Sequence, residues 1–76
     1  MKELDLHGYY HNEVEAEVES FLVMNSRHLP LRIITGYSDR MKLIVTELLE
    51  RYNFGYYIPD YNAGEIIVTQ DKDFQL

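Results

Sequence analysis

Apolar and polar residues alternate through Leu4-Asp5-Leu6-His7, and the pattern stops at Gly8. A two-residue period is that of a half-buried strand, which puts Leu4 and Leu6 on the buried face and Asp5 with His7 on the other. The period then changes. Val14, Val18, Phe21, Leu22 and Asn25 recur at the three- and four-residue intervals of one helix face, while Glu13, Glu15, Glu17 and Glu19 point mainly elsewhere. Asn12 to Glu15 has the form of a capping box, so a helix is expected to start there. Arg27 near its end suits the helix dipole, and Pro30 forbids continuation.

Leu31-Arg32-Ile33-Ile34-Thr35 is rich in β-branched residues and ends at Gly36, which predicts a second, more buried strand. Asp39 is a fitting N-cap for a second helix, whose stripe is Met41, Ile44, Val45, Leu48 and Tyr52 and whose stop lies at Asn53 to Gly55. Tyr56-Tyr57-Ile58 reads as a third strand, residues 60–64 as a turn, and residues 65–70 as a fourth strand. The order is βαβαββ. If consecutive strands pair, right-handed crossovers put both helices on one face of a four-stranded mixed sheet, an α/β protein of the two-layer α+β sandwich kind. Strand four runs antiparallel, and strands one to three end at a common edge, where open α/β sheets usually hold ligands.

Length and composition narrow the classes. Seventy-six residues, 46% of them apolar, supply one core and therefore one domain over residues 1–76, with the tail at 71–76 expected to fray. The absence of cysteine excludes disulfides, thiolate metal sites and thiol nucleophiles. No apolar run approaches the roughly 20 residues that span a bilayer, and acids stand where a signal peptide would be greasy. A soluble, cytoplasmic chain with no membrane role is expected. The net charge of −6 opposes long-range attraction to nucleic acid and leaves a local basic patch as the electrostatic route.

The topology brings three segments to one edge: Asp5 to Gly8, Thr35 to Ser38 and Asp60 to Gly64. His7 is suited to general acid or base work, and Asp5 can orient it or titrate beside it. Gly36 lets a phosphate approach the backbone, the first amides of the second helix donate to an anion, and Arg40 and Lys42 add positive charge. Tyr9, Tyr10, Tyr37 and Tyr61 fall near the same edge, where rings can stack on unpaired bases or contact a protein partner. His7, His11, Asp5 and Asp60 offer metal donors, but the interval from His7 to His11 crosses a strand end rather than lying along a helix. Structural zinc is not expected; an oxygen ligand such as Asp5 suits magnesium or manganese.

Leu4-Asp5-Leu6-His7-Gly8 matches the LDLHG motif that opens the Smr (small MutS-related) domain, and Ile34-Thr35-Gly36 falls where that family carries its TGxG motif. Over residues 3 to 70 the chain resembles that family. The resemblance implies a fold similar to the C-terminal domain of translation initiation factor three and binding of DNA or RNA. In several members it extends to metal-dependent nicking or ribonuclease activity, that is, an endonuclease. It implies Asp5 and His7 as the catalytic pair, and Thr35 and Gly36 in substrate binding or catalysis. With their neighbours, the expected nucleic-acid-binding set is Thr35, Gly36, Tyr37, Ser38, Arg40, Lys42, Asn62 and Gly64. There are departures. Ser38 replaces the second glycine of TGxG, Asp39-Arg40-Met41 stands where His-Ser often follows, and Asn62-Ala63-Gly64 keeps one glycine of a loop that often has three. Asp39 and Asp60 add negative charge nearby. The alternative expectation is a copy without catalysis that serves as a protein-interaction module through its tyrosines and acidic first helix.

Overall fold

Val14, Val18 and Leu22 from one helix and Met41, Val45, Leu48 and Leu49 from the other are buried against Leu31, Ile33, Ile66 and Val68 of the sheet. These parts of the two stripes serve one core, each fully buried Leu or Ile contributing about 1.5–3 kcal/mol, whereas Tyr52, expected on the second stripe, is 38% exposed and Leu49, outside it, is buried. The computed structural model describes residues 1–73. Its elements are β1 (Lys2–Asp5), α1 (His11–Asn25), β2 (Leu31–Ile34), α2 (Asp39–Arg51), β3 (Phe54–Tyr57) and β4 (Glu65–Asp71). The βαβαββ order holds, and the architecture is a two-layer α/β sandwich with a four-stranded mixed sheet. No helix is long and apolar enough to cross a membrane among the described residues.

The strand order is β1-β2-β4-β3, which corrects the pairing of consecutive strands. β1 and β2 are parallel, with Asp5 opposite Ile34, whereas β4 lies between β2 and β3 and runs antiparallel to both. Burial explains the placement. Glu65, Ile66, Ile67 and Val68 are all buried, so this stretch is covered on both faces, as an interior strand requires. β3 cannot take that position as well. Its residues beyond Phe54 are only partly covered or exposed, and its register against β4 shifts between Gly55 and Tyr56. β1, β2 and β3 nevertheless all point the same way, so their C-terminal ends share one edge.

Local chemistry moves several boundaries. α1 begins two residues earlier than expected: Tyr10 is the N-cap, and its amide donates to Glu13 Oε1 at 2.9 Å. Any carboxylate at the third helical position can reach back in this way, and Glu13 does so before Glu15 is needed. Glu15 instead meets Arg51 Nη1 at 3.3 Å and links the two helices. α2 is capped by Ser38, whose Oγ accepts the Met41 amide at 3.1 Å, leaving Asp39 in the first turn where a negative charge suits the dipole. β1 and β3 also start two residues before the sequence reading. In the tail, Asp71 belongs to β4, the Lys72 amide donates to Asn53 O at 3.0 Å, and Asn53 Nδ2 donates to Asp73 Oδ1 at 2.7 Å. The remainder of the expected fraying, at 74–76, lies outside the described residues.

Candidate functional site

The edge where β1 and β2 finish is assembled mainly by backbone hydrogen bonds. Leu6 extends the β1 pairing by donating its amide to Ile34 O at 3.0 Å, and the chain then turns, with the Tyr9 amide donating to Leu6 O at 3.1 Å. Gly8 has φ +89, a conformation that a side chain would strain, so glycine is required at the turn. His7 occupies this turn, fully on the surface. Its own amide donates to Asp5 Oδ1 at 2.9 Å. The Asp5 carboxylate thus braces the His7 backbone in an Asx-type turn.

The other two segments are clasped to each other. The Thr35 and Gly36 amides both donate to Gly64 O at 2.9 Å, and Thr35 Oγ1 lies 2.9 Å from Gly36 O and 3.2 Å from Gly64 O. Asn62 Oδ1 accepts the Gly64 amide at 2.9 Å. A Cβ added at Gly64 would sit 3.1 Å from Asn62 Oδ1 in its own loop and 3.5 Å from the Gly36 Cα, so the two loops are in van der Waals contact there. Gly36 itself has φ +66. Because Ile34 is bonded to Leu6, His7 stands beside Thr35 and Gly36, and all three expected segments meet at one edge.

This clasp reassigns the donors available to a ligand. The Thr35 and Gly36 amides already bond Gly64, and Ser38 Oγ holds Met41, so the anion-facing donors are the first amides of α2, which precede any intrahelical acceptor. Arg40 is exposed at that end. Lys42 lies with its Nζ 6.0 Å from the centre of the Tyr37 ring and 3.9 Å from Asp39 Oδ1. Tyr9 packs against the core, whereas Tyr10, Tyr37 and Tyr61 stand out in solvent.

A polar cluster that sequence reasoning missed spans the sheet face away from the helices. Arg32 Nη1 lies 3.4 Å from Glu3 Oε2, and Arg32 Nε lies 3.2 Å from Oε2 of the buried Glu65. Arg32 Nε is buried, and no acceptor lines up with it, so the contact is an ion pair rather than a hydrogen bond. Glu65 also accepts from the Tyr61 hydroxyl at 3.2 Å and from Asn62 Nδ2 at 3.4 Å. Desolvation of its hydroxyl, and then the bond to Glu65, hold the Tyr61 phenol above its ordinary pKa. Only the strand order could reveal this cluster, since Glu3, Arg32 and Glu65 become neighbours through the β1-β2-β4 register.

Among the described residues, no group of three or more His, Asp or Glu side chains is placed to hold a metal ion. Asp5 Oδ1 accepts the His7 amide, so a single carboxylate oxygen of Asp5 remains beside His7 as a metal donor. An apolar groove lies at the opposite end of the sheet, lined by Leu22, Val23, Tyr52 and Phe54, away from all of these groups. Set against protein-family models, curated proteins and solved structures, the chain matches none of them.

Proposed function

We propose that the chain is a Smr-like nucleic-acid-binding domain that receives a phosphate of DNA or RNA at the start of α2, beside His7. The observation that carries this reading is the convergence of the His7 turn, the Thr35–Gly36 clasp and the Asn62–Gly64 loop at one edge. The α2 amides, Arg40 and Lys42 supply the attraction, while Thr35, Gly36, Asn62 and Gly64 shape the floor and Tyr37 and Ser38 its rim. In an endonuclease of this design His7 is the proton-transfer group, and Asp5 acts through it as a positioning residue.

The test is binding of labelled single- and double-stranded DNA and RNA to the wild type and to His7→Ala and Arg40→Ala, across a salt series. Arg40→Ala is expected to weaken binding and reduce the salt slope by about one. Products that appear with the wild type and vanish with His7→Ala identify cleavage; absence of salt-dependent binding ends the reading. A second reading is favoured by a specific observation: Arg32 is neutralised by Glu3 and Glu65, and Lys42 leans on Asp39, which thins the positive charge at the edge. On that reading the domain docks a protein through its tyrosines and acidic α1, and nucleic acid of every kind fails to bind.

A further inference from the structure

We infer that this edge selects unpaired nucleic-acid strands over duplex, with bases stacked on Tyr37 and Tyr61; the inference rests on the nucleic-acid reading above. Tyr37, Tyr61 and Tyr10 are 78%, 77% and 75% exposed, whereas Tyr9, in the same region, is folded against the core. Tyr37 follows Gly36 directly, and Tyr61 precedes Gly64 by three residues. Both residues thus belong to the two loops that meet at Gly36 and Gly64.

Tyr61 is held in a way that leaves ring surface free, and Tyr37 has a cation 6.0 Å from its ring centre. The Lys42 ammonium lies over Tyr37, and the Tyr61 hydroxyl is fixed to Glu65 Oε1. Glu65 in turn is paired with Arg32, so the carboxylate that anchors Tyr61 carries its own counter-charge. Restraint matters because a loose side chain must be ordered when a base stacks on it, which weakens binding. A held ring with an open face is a platform for any base, whatever its identity.

The charge balance points to the same ligand. Duplex DNA or RNA hides its base faces and would have to bind through phosphates alone. A chain of net charge −6, whose Arg32 and Lys42 already have carboxylate partners, is poorly equipped for that. An unpaired strand adds stacking to the contacts that Arg40 and the α2 amides make with its backbone. The sugar is not read by ring stacking, so oligodeoxythymidine and oligouridine share the recognised chemistry and are compared as separate probes.

The experiment measures fluorescence anisotropy of labelled dodecamers of oligodeoxythymidine and oligouridine, and of a mixed-sequence duplex of equal length, against the full chain. Single strands are expected to bind more tightly than duplex. Tyr37→Ala and Tyr61→Ala, both exposed and checked for folding by circular dichroism, each weaken single-strand binding roughly tenfold and weaken duplex binding by less. Tyr37→Phe retains the wild-type affinity. Duplex binding equal to or tighter than single-strand binding, or alanine variants that bind single strands as the wild type does, would overturn the stacking inference and leave the nucleic-acid reading standing. No binding to any probe would overturn both.

Discussion

At the edge where β1 and β2 finish, Gly64 O gathers the amides of Thr35 and Gly36, and Asp5 and Asn62 brace their own turns with side-chain oxygens. At the opposite end, where β3 begins and β4 finishes, Leu22, Val23, Tyr52 and Phe54 surround an apolar groove of about 350 Å³. Both ends expose aromatic or aliphatic surface, yet they are built from different materials. The first has fixed donors, an exposed imidazole and a tethered phenol, that of Tyr61. The second is mainly apolar, with Glu19, Ser26 and Asp71 among its lining residues but no imidazole or cation. Recognition sites combine apolar lining with a few placed polar groups, so the polar edge, although the shallower feature, is the better candidate.

The contrast can be tested by injuring each end in turn. The largest effect is expected from Phe54→Ala, which removes a buried ring from the groove end and costs about 3–5 kcal/mol in denaturant unfolding. Oligonucleotide affinity of the folded fraction stays unchanged, and a loss of affinity would show that the two ends are not independent. Thr35→Val, nearly isosteric, deletes a buried hydroxyl that serves Gly36 O and Gly64 O. It is expected to cost about 1–3 kcal/mol and, unlike Phe54→Ala, to weaken ligand binding as the clasp loosens. Retained affinity in Thr35→Val would detach the clasp from function.

The smallest effect is in alkali. Each end carries a tyrosine whose phenol is held above its ordinary pKa, Tyr56 by desolvation and then by Glu50 beside it, Tyr61 by desolvation and then by Glu65. A folded-state value raised above the unfolded one favours the protonated fold. The contribution is therefore fully present below about pH 10 and is lost as pH rises through the raised values. The unfolding midpoint of the wild type is expected to decline more steeply above that point than that of Tyr56→Phe. Equal slopes would mean that the Tyr56–Glu50 contact, 3.2 Å in the fold, contributes nothing.

Much of this was legible before any coordinates. Val14, Val18 and Leu22, and Met41, Val45 and Leu48, announce their helices by spacing alone, because a core accepts only one face of each. Three chain reversals at one edge follow from counting parallel strands. What could not be read depends on partners far away in sequence. The Ile66-Ile67-Val68 run is compatible with an edge or an interior strand until the covering of both faces is known, and the wrong choice hides the Arg32–Glu65 pair. The loss of the Thr35 and Gly36 amides to Gly64 is likewise invisible, since it needs the register as well as the order. Capping was misplaced for a different reason: Asn12 and Glu15 have the right chemistry, but Glu13 already satisfies the Tyr10 amide.

The interior position of β4 also governs how the domain can be made. While a ribosome is still translating the segment before residue 65, β3 has nothing to pair with, because its only described neighbour in the sheet has yet to emerge. The carbonyl of Gly64 that gathers the Thr35 and Gly36 amides arrives just ahead of that strand. Vectorial synthesis can therefore leave helices and a β1–β2 pair waiting, but the sheet and the His7 edge are completed together in one late step.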